Sequence, residues 1–491
     1  MILSNTLAHT VQVRLPHLVT DAAAGPPAPP EAVSTYGWDT AFAIRLPDVN
    51  RAIARSGVSP TTFSYTPADR SCSLDGRFGT WQVRPGGDGA LVYLGIPVVK
   101  GWLDWQGTRY PMDGALATVE VKLNYLPPDP TDDTSRGTPH RLVVRTADPA
   151  GEPVASVTNL ALPGDGPGFI PRALMAGGLE EWLNANLAEF SHVFAVVDLN
   201  RIVDREQFRW LAPTSTSYAY VNGADEESSH LGVLCMTGHR DPGELAPQIS
   251  SRAIPTGSRS GFLISADRLL QDMIRPALPH AFPGATDADF AMSPDGTAVV
   301  NVRPVATPTV EHAGTTYQPW IGQLRITVNT AEVVVDTVTT VDLGLGTTAH
   351  VKNVAYQKIR LATSPNGTQT LVWEPSRPPV ADHWTTMDEG TSIAIEVVGL
   401  VIAAVLTVLT DGAALVVALI IVALVVGLVE ATPQQIADTV GQQVSDASVS
   451  LSLLVLNSTD PIVWSGAREF RLDQVGLDGA LRLGGTPQFA E

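Results

Sequence analysis

The stretch Ala117–Tyr125, ATVEVKLNY, alternates apolar and polar residues along its whole length. Successive side chains of a β-strand point to opposite faces, so Val119 and Val121 would share one face, and Glu120 and Lys122 the other. A strand with one dry and one wet face is typical of an antiparallel sheet, whereas strands of parallel sheets are apolar on both faces. The stretch therefore predicts an antiparallel sheet.

Strand-like segments recur on both sides of this stretch, and no run alternates strands with helices as parallel βαβ units do. Thr80–Tyr125 is predicted to form an antiparallel meander. The other predicted strands are Trp38–Arg45, His192–Leu199, Trp210–Val221, Leu231–Met236, Leu324–Asn329, Val333–Val341, Ala349–Leu361, Thr370–Trp373, Ser448–Asn457 and Glu469–Leu483. With a few helices added, the predicted fold class is α+β with antiparallel sheets.

Besides the most apolar part of the chain, four helices are predicted from apolar periodicity and end signals, and the last of them begins at Thr432-Pro433 with Ile436, Val440 and Val444 on one side. Pro47–Arg55 has Pro47 in its first turn and Gly57 just past its end. The helix Ala173–Phe190 has an apolar face that includes Leu179, Trp182, Leu183 and Leu187. The helix Ala266–Leu278 follows a capping Ser265 and has an apolar face of Leu269, Leu270, Met273 and Ile274. Ordinary core packing is one explanation of both faces, and the lining of an apolar groove is the other.

The most apolar part of the chain is Ile393–Val429, two runs separated by Thr410, Asp411 and Gly412. Asp-Gly is turn chemistry, and Glu396 suits the start of a helix. The sequence therefore predicts an apolar helical hairpin within residues 391–431. Its candidate membrane-contact residues are Glu396, Leu400, Asp411, Leu419 and Leu424.

Three interpretations of this predicted hairpin remain open. It could be two core helices, a permanent membrane anchor, or a hairpin that inserts only at acid pH. No Lys or Arg lies between Arg377 and Arg468, and the nearby charges are acidic, so the flanks lack the cationic anchors of ordinary spanning helices. Protonation of carboxylates such as Asp411 would make the hairpin easier to insert.

The composition excludes some classes of partner. The 491-residue chain has a formal net charge of −19. We therefore do not expect it to bind nucleic acid, or to be attracted electrostatically to anionic lipid at neutral pH. A chain of this length predicts more than one domain. The predicted division is an N-terminal extension and linker over residues 1–34, then parts 35–260 and 261–491. Met1–Val19 lacks the features of a secretory signal, so a bacterial cytoplasmic location is expected, with any release by another route.

No catalytic or metal-binding motif stands out in the sequence. There is no Walker loop, nucleophile elbow or His-Glu-x-x-His, and the two cysteines have no zinc spacing. The polar triplet His239-Arg240-Asp241 precedes Pro-Gly and is predicted to be a loop. We therefore expect a binding or interaction protein rather than an enzyme, with no catalytic residue, metal or cofactor.

Several short motifs, in their order and spacing, resemble one protein family. They are Tyr36–Thr40 (YGWDT), Asp48–Asn50, Phe190–Ala195, Trp210–Thr214, Tyr218–Tyr220, Gly261–Ser265 and Phe470–Leu483. The chain is similar over these motifs to the forty-seven-kilodalton and OrfX-type proteins of botulinum neurotoxin gene clusters. That family in turn is similar to tubular lipid-binding (TULIP) proteins.

The resemblance implies an elongated TULIP-like fold in which bent antiparallel sheets wrap long helices and leave an apolar groove. It also implies a non-enzymatic protein that binds lipid or another apolar ligand, as an accessory or virulence factor of a toxin gene cluster. The two alternatives are a membrane-active toxin component whose hairpin 393–429 inserts at acid pH, and a structural subunit that binds other proteins of the cluster. The resemblance supplies no catalytic residue.

Overall fold

The fold was obtained as a computed structural model. It describes residues 32–57, 59–125, 140–144, 153–164, 166–187, 196–197, 210–211, 213–307, 309–312, 315–344, 346–363, 369–387, 402–404, 408–410, 413–415, 421–423, 462–463 and 467–489. Contacts divide the chain into Met1–Ala32 and Val33–Glu491, and everything below concerns the second unit.

The strands in the described part are numbered in chain order. They are β1 (Thr40–Arg45), β2 (Thr62–Tyr65), β3 (Cys72–Phe78), β4 (Gln82–Asp88), β5 (Leu91–Trp105), β6 (Thr108–Pro111), β7 (Ala115–Tyr125), β8 (His140–Val144), β9 (Ala155–Ala161), β10 (Val196–Val197), β11 (Pro213–Val221), β12 (His230–Thr237), β13 (Ser260–Ile264), β14 (Phe290–Met292), β15 (Ala298–Asn301), β16 (Val305–Ala306), β17 (Val310–His312), β18 (Thr315–Tyr317), β19 (Pro319–Val328), β20 (Val333–Gly344), β21 (Thr347–Thr363), β22 (Gln369–Met387), β23 (Ile402–Ala404), β24 (Val408–Thr410), β25 (Ala413–Leu415), β26 (Ile421–Ala423), β27 (Ile462–Val463), β28 (Ala467–Leu477) and β29 (Leu481–Phe489).

The described helices are short. Helix α1 (Leu46–Ser56) has Pro47 in its first turn, and Gly57 follows it with a φ of 63°, as the sequence predicts. Helix α2 spans Phe169–Ala185. Helix α3 begins as α-helix at Ala266–Arg268, continues as a π-helix over Leu269–Ile274 and ends as a 3₁₀-helix over Arg275–Ala281. A short 3₁₀-helix covers Asp287–Asp289.

Three antiparallel sheets contain most of the described strands. The first sheet has the order β11-β12-β1-β13-β29-β28. The second runs β2-β3-β5-β7-β8-β10-β27, with β4 and β6 on β5 and β9 on β7; the third runs β14-β15-β19-β20-β21-β22, with β16 on β19. The predicted strand at Ala117–Tyr125 is confirmed as β7, whose Val119 and Val121 are fully buried.

The predicted α+β class with long helices is wrong. Strands account for 52% of the described residues and helices for 16%, so the fold is mostly β. The predicted helix Ala173–Phe190 ends at Ala185, and the one from Ala266 is a single α-helical turn followed by irregular helix. Apolar periodicity located both helices but not their length, because packing rather than periodicity decides where a helix ends.

The predicted apolar helical hairpin is also wrong. Where the structure describes Ile393–Val429, the chain forms short antiparallel strand pairs, β23 with β26 and β24 with β25. The run is rich in Val and Ile, which favour strands, and because it is apolar throughout it has no polar face whose spacing would distinguish buried strand from buried helix. The candidate residues Glu396, Leu400, Asp411, Leu419 and Leu424 lie outside the described residues. No described helix is long and apolar enough to cross a bilayer.

The first sheet is buried on both faces, and β1 lies at its centre. Phe42 and Ile44 point into the main hydrophobic core, which also contains side chains from the other two sheets. Ala41 and Ala43, on the opposite face, belong to a second apolar cluster with Trp38. This strand therefore connects two cores, which explains why its four central residues, Ala41–Ile44, are all apolar.

The second apolar cluster is closed by the chain between residues 245 and 256, which lies directly on the first sheet. A Cβ added at Gly261 would come within 2.1 Å of the Ala253 carbonyl oxygen, and one added at Gly484 within 2.7 Å of Pro255 Cγ. Gly261 is close to the backbone of the covering segment and Gly484 to its side chains, so a larger residue at either position would require the segment to move. These glycines allow the chain between residues 245 and 256, rather than another sheet, to cover this face of the first sheet.

The first sheet takes strands from both predicted parts of the chain. Strands β1, β11 and β12 come from the part 35–260, whereas most of β13, together with β28 and β29, comes from the part 261–491. The two parts join where β1 pairs with β13. The division at residue 260 stays a prediction, as does that of the N-terminal extension 1–34. Cys72 and Cys235 are both free, and burial raises the pKa of the Cys235 thiol to about 12.

His230 makes the stability of this sheet sensitive to acid. The side chain is 2% exposed at the start of β12, and burial lowers its pKa from 6.5 to about 4. Between these values the unfolded chain carries a proton that the folded chain does not, so stability falls as the pH falls. From pH 7 to pH 5 this one group should cost about 2 kcal/mol of unfolding free energy.

We expect His230→Gln to lose less stability than the wild-type chain between pH 7 and pH 5, by about 2 kcal/mol. Urea unfolding of both proteins at each pH measures this difference. Equal losses in the two proteins would contradict the buried, neutral state of His230.

Candidate functional site

Helix α2 is fixed to the second sheet by polar side chains on one face. Asn184 Oδ1 accepts hydrogen bonds from the N–H groups of Val154 and Ala155 at 3.0 and 3.1 Å. Glu180 Oε2 accepts one from the N–H of Val157 at 2.8 Å. These side chains satisfy backbone donors in and just before the edge strand β9, so the polar face of α2 has a structural role.

The apolar face of α2 packs closely on the same sheet. A Cβ added at Gly178 would meet Leu74 Cδ2 at 3.0 Å and Tyr65 Cδ1 at 3.2 Å. The helix ends where the Asn186 side chain donates to the Trp182 carbonyl oxygen at 2.7 Å. The indole of Trp182 lies 5.3 Å, between ring centres, from Phe78. These contacts therefore fix the distance between helix α2 and the second sheet.

All eight predicted groove residues lie in one place, the main hydrophobic core. Each is buried, with exposures from 0% to 7%, and each belongs to the same cluster of contacting side chains. They are Leu179, Trp182, Leu183, Leu187, Leu269, Leu270, Met273 and Ile274. The apolar faces of two helices that are distant in the sequence thus belong to one apolar interior. That this interior admits a ligand stays a prediction.

The wall contributed by α3 is irregular. Within Ala266–Ala281 the hydrogen bonding changes from α through π to 3₁₀. The π-helical part, Leu269–Ile274, carries all four candidate residues of this helix. Single π-helical turns are frequent at functional sites, and Met273 adds a flexible, polarizable side chain. This part of the core therefore has the groups best able to adapt to a guest molecule.

A buried carboxylate ties the start of α3 to the centre of the first sheet. Asp39 is 1% exposed, and its Oδ2 accepts from the Thr237 N–H at 2.7 Å and the Thr237 hydroxyl at 3.0 Å. Its Oδ1 lies 2.6 Å from an Arg240 guanidinium nitrogen, and its backbone oxygen accepts from the Ser265 N–H at 2.9 Å. Arg240 also pairs with Asp267 at 2.9 Å. One residue thus joins β1, β12 and α3.

A second buried charge lies on α3 itself. Arg268 is 3% exposed, lies 5.7 Å from the centre of the Trp210 ring and has its Nε 3.0 Å from Asp272 Oδ2. Burial raises the pKa of Asp272, and the nearby Arg268 guanidinium opposes this effect. Trp210, the first residue of the motif Trp210–Thr214, therefore covers a charge beside the helix.

Sequence reasoning missed the role of Arg240. The triplet His239-Arg240-Asp241 was predicted to be a polar loop, and it does follow β12, with His239 at a φ of 59°. Its function in the fold is visible only when Asp39, some two hundred residues away, is placed beside it. Within the described residues no group of three or more His, Cys, Asp or Glu side chains could hold a metal ion.

Comparison with known proteins gives a consistent result. The family model described as OrfX-like, Protein OrfX2/OrfX3/P47, matches residues 35–485. This chain belongs to the OrfX-like family. Among its relatives, Protein OrfX3 of Paraclostridium bifermentans is 30% identical and aligns with 92% of this chain and 98% of its own length. Protein OrfX3 of Clostridium botulinum (strain Kyoto / Type A2) is 28% identical, over 93% and 99% of the two chains.

Solved structures show the same fold. The structure of P47 from Clostridium botulinum A2 matches with a TM-score of 0.67 at 15% identity, covering 93% of this chain and 98% of that one. P47 of Clostridium botulinum E1 matches with a TM-score of 0.62 at 14% identity, covering 92% and 100%. The family resemblance found in the sequence is thereby confirmed. The wider TULIP relationship stays a prediction.

The motifs that carry the OrfX-like resemblance are concentrated in one part of the fold. Tyr36–Thr40 leads into β1, Tyr218–Tyr220 lies in β11, Gly261–Ser265 covers β13 and the start of α3, and Phe470–Leu483 covers β28 and part of β29. All of these strands belong to the first sheet. Asp48–Asn50 lies in α1 and Phe190–Ala195 lies outside the described residues, so most but not all of the motifs lie at this sheet.

We expect Asp39→Ala to lower the free energy of unfolding by about 3 kcal/mol, because it leaves the buried Thr237 N–H without an acceptor and removes one partner of Arg240. Denaturant titration measures the loss. The matched control is Asp104→Ala, which removes an ion pair with Arg109 on the exposed surface and should change stability little. Similar small losses in both variants would contradict the structural role of Asp39.

Proposed function

We propose that this OrfX-like chain is a non-enzymatic accessory protein of a toxin gene cluster that binds a lipid or similar apolar ligand in its interior. The observation that carries the proposal is that the apolar faces of α2 and α3 belong to one continuous hydrophobic core, in which α3 is an irregular helix. The ligand would lie between the apolar faces of these helices. The proposal includes that the ligand is bound in the bacterial cytoplasm.

The chemistry of the interior supports an apolar guest. The eight candidate side chains are hydrocarbon, thioether or indole groups, and a lipid chain gains about 0.8 kcal/mol for each methylene that it buries. Binding requires the packed side chains to move apart, since a close-packed core leaves little empty space. Met273 and its neighbours on the π-helical turn are the groups that can move with least cost, because this turn already departs from regular helix.

The polar contacts around the interior favour opening of the core at one place over a general loosening of its packing. Asn184 and Glu180 hold α2 on the second sheet, and on α3 the buried Arg268 pairs with Asp272. With α2 fixed, movement would be confined to α3. Movement of a helix whose hydrogen bonding is irregular is a common way for a packed protein to admit a ligand.

The test compares three variants with the wild-type chain by native mass spectrometry and lipid extraction from the same samples. Met273→Trp fills the space where the ligand would lie, and Met273→Leu preserves its volume. Met112→Trp places the same extra volume at another fully buried methionine that belongs to neither helix. We expect the wild-type chain, Met273→Leu and Met112→Trp to retain bound lipid, and Met273→Trp to lose at least four-fifths of it.

Thermal unfolding of the same samples separates loss of binding from loss of folding. A wild-type chain that is free of lipid and takes up none on addition would overturn the proposal. Equal retention of lipid by all variants would place the ligand elsewhere. A lipid-free chain in a stable complex with other proteins of the cluster would favour the structural-subunit alternative, for which Phe169, 85% exposed at the start of α2, is the first contact to examine.

A further inference from the structure

A surface pocket lies away from the apolar interior, where the first and second sheets meet. Its volume is about 690 Å³, within the range of small-molecule sites. The walls come from the turn between β4 and β5, the end of β11, the chain around residue 248 and the turn before β1. Its exposed side chains are Tyr36, Asp88, Asn222 and Gln248.

The aromatic ring at this pocket is held in a strained backbone. Tyr36 has a φ of 52° and Gly37 a φ of 91°, and the Trp38 N–H donates to the Thr35 carbonyl oxygen at 3.0 Å. Positive φ at both central residues is the pattern of a type I′ turn, where Asn-Gly is preferred and a bulky aromatic is unfavourable. The ring of Tyr36 is nonetheless 45% exposed, so burial does not compensate for the strain. An exposed, strained residue is a candidate for function.

The floor of the pocket is rigid. The Tyr220 N–H donates to the Gly89 carbonyl oxygen at 2.7 Å, which joins the β4–β5 turn to β11. Gly87 lies so close that an added Cβ would come within 2.9 Å of Tyr220 Cδ1. Asn222 Oδ1 accepts from the Gly86 N–H at 2.8 Å, which orients its amide and leaves the NH₂ group as the free end. The pocket is therefore formed before any ligand arrives.

The wall opposite this floor is fixed to the Tyr36 turn. The indole N–H of Trp38 donates to the Ala246 carbonyl oxygen at 3.1 Å, just before Pro247 and Gln248 in the chain. A Cβ on Gly37 would come within 2.8 Å of Leu245. The aromatic ring and the Gln248 amide are thus carried by two segments that pack on each other, which fixes the distance between them.

The lining groups define the chemistry of a ligand. All the lining residues are described, and they include no Lys, Arg or His, while Asp88 brings a negative charge, so a phosphate or other anion is disfavoured. The half-exposed ring offers an apolar face and a hydroxyl, and the two amides and the carboxylate offer both donors and acceptors. A neutral ring with hydroxyl groups on its edge and C–H groups on its face matches this set.

We propose that this pocket is a binding site for a neutral saccharide, which stacks on Tyr36 and hydrogen-bonds to Asp88, Asn222 and Gln248. The site is independent of the apolar interior, so it stands whether or not the chain binds lipid. Because the ring is held at a backbone cost, the proposal predicts that stability and saccharide binding change in opposite directions at this position.

The test uses saturation-transfer NMR and calorimetry with three neutral probes at millimolar concentration, namely lactose, maltotriose and chitotriose. Tyr36→Asn places the residue preferred in this turn, so we expect a melting temperature at or above that of the wild-type chain. Its affinity for the bound probe should fall by about tenfold or more, the usual value of a lost aromatic stacking contact. Asn222→Ala should lower the affinity for the same probe severalfold.

The matched control is Trp320→Ala, which removes an aromatic side chain that is also 45% exposed but lies on β19, outside the pocket. It should bind the probe as the wild-type chain does. Failure of the wild-type chain to bind any of the three probes would overturn the proposal. So would unchanged binding by Tyr36→Asn, or equal loss in Tyr36→Asn and Trp320→Ala.

Discussion

The buried carboxylate of Asp39 is the contact on which the centre of this fold depends. It accepts hydrogen bonds from Thr237 at the end of β12, pairs with Arg240 just beyond, and fixes the start of α3 through its own carbonyl oxygen. A buried carboxylate is costly unless its partners are complete, so these contacts must form together. Strand β1, which follows Asp39, separates two apolar cores. Both cores require β1 to pair in the correct register with its neighbouring strands.

This arrangement gives the molecule a rigid centre and two less regular regions around it. On one side α3 leaves Asp39 and passes through a π-helical turn into the main core, to which α2 also contributes. On the other side the turn that precedes Asp39 holds Tyr36 at a positive φ beside an open pocket. The proposed apolar ligand and the proposed saccharide thus use different flanks of one element. The resemblance motifs surround the same sheet, which is consistent with its central place in the OrfX-like family.

Much of the β-structure could be predicted from sequence because wet and dry faces alternate, as at Ala117–Tyr125. The helix α1 could be predicted because Pro47 and Gly57 mark both ends. The apolar run Ile393–Val429 was misjudged because Val and Ile suit a buried strand as well as a buried helix. The pairing of Asp39 with Arg240 and the pocket at Tyr36 could not be predicted, since each joins segments about two hundred residues apart.

Because the first sheet takes strands from both ends of the chain, we expect the two halves to unfold as one cooperative unit. Native-state hydrogen exchange of the backbone amides in β1, β12, β13 and β29 measures this cooperativity. We expect these amides to exchange only through global unfolding, with the same free energy of opening in all four strands. Exchange of β29 through a separate opening of much lower free energy would contradict it and would support two independently folding halves divided near residue 260.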